Sequence, residues 1–237
     1  MYGIYCRSIE SLGMSSDELS LFWSRFDEVV STRAPELFAQ MAPPAAEEEI
    51  VAAELALGFA MPAVLRGCYR HHNGSGTAWI LPGLFGVWCP VGELPALYAS
   101  LPTQSARVKR HRGSNTRIDD EWIQSNLLQP WPYHPKRLPF IRTMDREVVA
   151  ADLFPGGTGT IEQIVHIGKS PASIALLAKS WVGLLSPLVD GLVDGSIYWG
   201  VESEQMGVVS WHYTKTRQPV EVWEFYPQAC WLGYLHN

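Results

Sequence analysis

An α+β fold is what this 237-residue sequence predicts: N-terminal helices on a central, largely antiparallel or mixed sheet, then a late helix and a C-terminal β-meander. Three observations carry the expectation. Apolar residues recur at helical spacing in the first part of the chain. Short β-like runs dominate the middle, and a further alternating set closes the chain. The chain lacks the regular strand–helix–strand alternation that would build a parallel sheet. With 47% hydrophobic and 18% charged residues and ten tryptophans, it has the apolar surface that disordered chains lack. Its length suffices for a real core. No apolar run approaches the roughly 18 residues a membrane-spanning helix needs. The first residues also lack a secretory pattern, so a soluble, cytoplasmic protein is expected.

The elements follow in order. Ser15 and Glu18 have capping-box spacing, and Leu19, Phe22, Trp23, Phe26, Val29 and Val30 then form a helical stripe opposite Asp17, Ser20, Ser24, Arg25, Asp27 and Glu28. Pro35 opens a short helix through Leu37, Phe38 and Met41, which Pro43 and Pro44 end. Residues 45–57 read as a third helix, with Glu47, Glu48 and Glu49 at its positive end and Gly58 as a left-handed cap. Pro62 suits the first position of a fourth, which places Leu65, Cys68, Tyr69 and His72 on one face and stops at Asn73-Gly74. Residues 77–81 and 84–88 are β-like runs around Pro82-Gly83.

Residues 101–139 are the least regular. From Arg107 to Arg117 there are five Lys or Arg and no acid, directly before Asp119, Asp120 and Glu121. This segment is expected to be an exposed basic loop. Strand-like runs return at 138–141, 148–153 and 162–167, with a glycine-rich turn at 156–159. Ser170-Pro171 reads as a helix start, with Ile174, Leu177, Trp181, Leu184 and Leu188 as the stripe. After Gly195, residues 197–201, 207–213 and 220–225 form the expected meander. The implied organisation is an N-terminal arm over 1–16, a main α+β domain over 17–190, and C-terminal strands over 191–237 packed on it.

The net charge of −6 disfavours a general binder of nucleic acid or anionic membrane, which needs a basic surplus. Setting the five charges of the basic segment apart from that −6 leaves −11 on the rest, which suits a basic partner. Cys6, Cys68, Cys89 and Cys230 are too far apart for a Cys-x-x-Cys site, so reduced and mostly buried thiols are expected. His71 and His72, as neighbours on a helix, point apart and cannot easily share a metal. The 156–159 glycines lack a following Lys-Ser/Thr and open no helix, which makes them a turn and not a phosphate cradle. No nucleophile elbow or His-Glu-x-x-His pair occurs. No metal, no cofactor and no enzymatic activity are expected.

One constellation is specific. Glu48-x-Ile50-x-Ala52-Ala53-Glu54-x-x-Leu57-Gly58-x-x-Met61-Pro62 runs on to Leu65-Arg66-x-x-Tyr69-x-x-His72-Asn73-Gly74. This resembles the signature E-x-I-x-x-x-E-x-x-L-G-x-x-L-P followed by a helix ending Y-x-x-x-N-G, which belongs to the SUKH superfamily. That superfamily holds fungal cell-wall assembly regulators and bacterial toxin-immunity proteins. Residues 134–141, with Leu138-Pro139-Phe140-Ile141, resemble its W-x-P-x-W-I-P-I strand. Asp152-Leu153-x-Pro155-Gly156, with Gly159 and Gln163-Ile164-Val165, resembles D-L-x-P-x-x-x-G-x-x-G-Q-V-I. The resemblance covers roughly residues 17 to 190. Arg137 stands where an aromatic is usual, and residues 145–152 lack the typical glycine pair.

The motif residues Glu54, Leu57, Gly58, Pro62, Tyr69, Asn73, Gly74, Pro139, Asp152 and Gly159 are corner and turn formers, not reactive groups, so they are expected to be structural. The resemblance implies an immunity protein that neutralises a cognate bacterial toxin, such as a basic nuclease, by covering its active site. Asp119, Asp120, Glu121, Glu202, Glu204, Glu221, Trp223 and Glu224 are the acidic and aromatic candidates for that contact. The alternative is an intracellular regulatory or scaffolding protein of the cell-wall assembly type. Neither reading calls for direct contact with membrane or nucleic acid.

Overall fold

The computed structural model describes residues 15–101, 126–129, 131–169, 172–201, 209–221 and 225–226. The first helix, α1 (Ser16–Arg33), starts at the expected capping box. The Ser15 hydroxyl accepts from the Glu18 amide at 3.2 Å, and the Glu18 carboxylate accepts from the Ser15 amide at 2.7 Å. Its apolar stripe buries Leu19, Trp23, Phe26 and Val30. A single turn, α2 (Pro35–Phe38), follows. Helix α3 (Glu47–Leu57) has its first amide closed by the Glu49 carboxylate, which accepts from Ala46 N at 2.9 Å. Helix α4 (Ala63–Tyr69) begins one residue later than Pro62, which is its N-cap. His72 therefore lies beyond the helix, its amide donating to Cys68 O at 3.0 Å.

The main sheet has the order β1-β2-β3-β4-β5, with every neighbouring pair antiparallel. Its strands are β1 (Gly86–Trp88), β2 (Arg137–Thr143), β3 (Val148–Asp152), β4 (Gln163–Lys169) and β5 (Ala172–Ala178). Pro139 sits in an inner strand, where its missing N–H would break the ladder. The β2–β3 register shifts between Pro139 and Ile141, and this irregularity accommodates it. Between β1 and β2 come a 3-10 turn (Val91–Glu93) and helix α5 (Leu94–Ser100), neither of which the periodicity announced. Of residues 77–81, expected as a strand, only Trp79 forms a bridge, to Val87. The basic segment from Arg107 to Arg117 lies outside the described residues.

One expectation is overturned. Residues 172–178 do not continue a helix started by Ser170-Pro171; they form β5, paired with β4 from Ile164↔Ala178 to Lys169↔Ala172. Ile174, Leu176 and Leu177 are all buried. A short apolar run buried on both faces has no amphipathic period, and pairing decides its form. The helix starts at Ser180, whose hydroxyl caps Gly183 N at 3.1 Å, and runs as α6 (Trp181–Asp194) to the left-handed Gly195.

Cross-strand pairing sets the layers. Trp88, Ile141, Val149 and His166 share the face covered by α1 and α6, whereas Arg142, Val148 and Ile167 share the opposite face, near α5. Behind the helical face, Trp23 stacks on Trp88 at 5.9 Å and Trp88 meets Trp181 at 5.1 Å; Trp181 also edges Phe140 at 4.8 Å. The chain closes with a second sheet of β6 (Ile197–Val201) and β7 (Val209–Tyr213). The Trp211 indole N–H ties it to Trp79 O at 3.0 Å. The expected third meander strand over 220–225 is not formed among the described residues: an isolated bridge, His212↔Pro219, precedes it, the Val220 amide donates to Trp211 O at 2.8 Å, and residues 222–224 lie outside the described residues.

Candidate functional site

Of the eight predicted contact residues, Glu221 is described and exposed. Asp119, Asp120, Glu121, Glu202, Glu204, Trp223 and Glu224 lie outside the described residues.

The motif residues have visible work. The Glu54 carboxylate accepts from Met61 N at 2.9 Å and closes the corner between α3 and α4, with Gly58 left-handed at φ 80°. Leu57 packs half-buried beside the core, and Pro62 caps α4. The buried Tyr69 hydroxyl donates to Cys89 O at 3.0 Å. Asn73 Oδ1 accepts from Val91 N at 2.7 Å, and its own amide donates to Pro43 O at 2.9 Å. Gly74 has φ 101° and leaves no room for a side chain, since a Cβ there would lie 2.7 Å from Trp88 O. Gly159 is equally constrained by Leu127 O, at 2.4 Å from a Cβ.

The unexpected centre is Arg137. It is fully buried and faces the equally buried Asp152, with Nε at 3.1 Å from Oδ1. Its remaining N–H groups reach the carbonyls of Gln129, Trp131 and Pro132. Asp152 also accepts from Phe154 N and from Gln163 Nε2, both at 3.1 Å. Gln163 in turn donates to Leu127 O at 2.9 Å. Burial lowers the guanidinium's pKa, and the Asp152 carboxylate opposes that. The departure from the motif's aromatic is thus a buried cation with its own counter-ion, holding Gln129, Trp131 and Pro132 against the sheet. Sealed from solvent, it has no access to a substrate.

Several other titratable groups among the described residues tie elements of the fold together. His72 places Nδ1 3.0 Å from Ala42 O and Nε2 2.8 Å from Asp27, so both ring nitrogens face acceptors and tie α1 to the α4 turn. His71 stacks on Trp23, and burial lowers its pKa, with Asp27 opposing. Burial pushes the Cys68 and Cys89 thiols up, which suppresses the reactive thiolate. Burial raises Glu162, while the amides of Ala63 and Val64 at the start of α4 pull it back down. His166 lies 2.9 Å from Glu147, and Ser210 3.1 Å from His212, both histidines almost fully buried. Among the described residues, no cluster of three or more His, Cys, Asp or Glu could hold a metal ion. No described helix is long and apolar enough to cross a membrane.

The described residues also form an open concavity. It measures about 580 Å³ and lies between α5 and the β2–β3 hairpin. Leu97, Leu101, Val148 and Ile167 give it an apolar floor, and Glu93, Arg142 and Arg146 stand around it. Sequence reasoning missed it because α5 carried no recognised signal. The missing hairpin glycines around Arg146 were the available clue.

A family model described as the SMI1 / KNR4 family (SUKH-1) matches residues 44–186. The chain is similar to "Cell wall assembly regulator SMI1" of Saccharomyces cerevisiae, 20% identical over 254 residues that cover 93% of this chain and 50% of that protein. It is also similar to "Glucan synthesis regulatory protein" of Neurospora crassa, 21% identical over 211 residues that cover 77% of this chain and 39% of that one. The chain spans half or less of the length of these curated relatives.

Proposed function

Because this chain belongs to the SMI1/KNR4 family (SUKH-1), we propose that it is a regulatory protein of the cell-wall assembly type, acting by holding other proteins. The observation that carries the reading is the extent of the similarity. It reaches 93% of the chain, so helices, sheet and C-terminal strands are all included, and the relative is named a regulator, not an enzyme. The ten motif residues support it as well: those whose contacts are described serve corners, turns and buried polar pairs, and none presents a reactive group to solvent. A fold can be kept while its contacts change, and the remaining acidic surface suits a basic partner.

Both relatives are named for wall assembly or glucan synthesis, which favours the regulator over the toxin-neutralising protein with its nuclease-type partner. Deleting the gene in its own host tests the choice. Altered wall glucan and sensitivity to wall-digesting enzymes, with no toxin present, are expected. An unchanged wall with lost resistance to a toxin encoded beside the gene would overturn the reading.

A further inference from the structure

We propose that the groove between α5 and the β2–β3 hairpin docks a partner segment in which a carboxylate lies next to a large apolar side chain. The inference deepens the regulatory reading, on which it rests for the existence of a protein partner.

Three observations converge on it. The groove, at about 580 Å³, has the size of a ligand pocket, and its apolar floor offers a buried seat for one large side chain. Its rim carries two guanidiniums against one carboxylate, a local positive excess on a chain of net charge −6. Arg142 lies 3.6 Å from Glu93 with both side chains half-exposed, a loose pair that a ligand can recruit. The Arg146 side chain has no hydrogen-bond or ion-pair partner among the described residues. The third observation is conformational. Arg146 has φ 59°, in the left-handed region that glycine enters freely and other residues rarely do. An arginine at this turn, where glycine is easiest, places a cation on the groove at the expense of backbone comfort.

The chemistry selects the occupant. A guanidinium's planar fork matches a carboxylate in a bidentate pair. Glu93 on the same rim repels a doubly charged phosphate more than a single carboxylate. A basic peptide would meet two like charges. The positive rim therefore admits an acid, and the floor takes the apolar residue beside it.

The test is selection of short random peptides displayed on phage against the full chain. Enriched peptides are expected to carry Asp or Glu close to Leu, Ile, Phe or Trp. Synthetic versions should bind Arg142→Glu and Arg146→Gly chains about tenfold more weakly. Arg146→Gly suits the left-handed turn, so its thermal midpoint should match or exceed the wild type's, which separates a lost contact from unfolding. No enrichment, enrichment of peptides without acids, or binding to both variants as tight as to the wild-type chain overturns the proposal. So does binding that appears only after the chain's own Ile118-Asp119-Asp120-Glu121-Trp122 run is replaced by glycine and serine, since the groove's occupant would then be internal. Wall rescue by Arg146→Gly as complete as by wild type, together with failed selection, removes the groove and leaves the regulatory reading standing. A host with no wall phenotype on deletion removes that reading whatever the peptides do.

Discussion

At the level of single residues, the buried Arg137–Asp152 pair sets the largest local dependence. Arg137 satisfies one carboxylate and three carbonyls. Arg137→Met leaves the buried Asp152 short of its partner, and should lower the unfolding free energy by about 3–5 kcal/mol in urea titrations. Beside it, His134 stacks on Phe154 at 4.2 Å, and its Nδ1 accepts from Lys136 N at 3.1 Å. Protonating that nitrogen would break the bond. Burial lowers the folded pKa of His134, and the Arg137 cation adds to the effect. The folded value lies below the unfolded one of about 6.5, so the stabilisation is whole above that pH and is lost as pH falls through the folded value. His134→Gln should flatten the drop in stability between neutral and mildly acidic buffer. An unchanged slope would remove this account. The sequence marked Arg137 only as a departure from an aromatic, because a buried cation is legible only once its counter-ion is placed.

Among the elements, glycines at corners separate backbone demand from space. Gly58 and Gly74 both have positive φ, but a Cβ at Gly58 meets nothing within 4 Å, whereas one at Gly74 lies 2.7 Å from Trp88 O. Gly58→Ala should cost about 1 kcal/mol, the left-handed penalty alone. Gly74→Ala should cost about 3 kcal/mol, because the neighbour is backbone and the turn must shift as well. Chemical denaturation of the two variants compares them directly, and equal losses would show that space is not the deciding factor. These corners were readable in advance, since Leu57-Gly58 and Asn73-Gly74 are local signals. Strand β5 was not. Its run Ala172–Ala178 is apolar but for Ser173, and only the partner strand Gln163–Lys169 decides between helix and sheet. Helix α5 was lost for a related reason: with seven residues and a proline in its first turn, it is too short to display a period.

For the molecule as a whole, the family model's span and the physical core do not coincide. The match covers residues 44–186, yet Trp23, Phe26 and Val30 of α1 are fully buried before it, and Leu188, Val189 and Leu192 of α6 are buried after it. Each large aromatic removed from a core costs about 3–5 kcal/mol, against a total stability of about 5–15 kcal/mol. A fragment limited to 44–186 should therefore bind hydrophobic dyes and melt without a sharp transition, whereas the full chain should melt cooperatively. A cooperative short fragment would show that α1 is dispensable. The same core has an optical consequence. Trp23, Trp88 and Trp181 form a chain of rings with neighbouring centroids 5–6 Å apart, and none of their indole N–H groups makes a hydrogen bond among the described residues. Rings this close should share excitation, and burial should shift their emission to short wavelength, so a common, depolarised signal from α1, β1 and α6 is expected. Its loss on unfolding should report the opening of the helical face, whereas the groove lies on the opposite face of the sheet. A ligand seated against α5 must be followed by a label of its own.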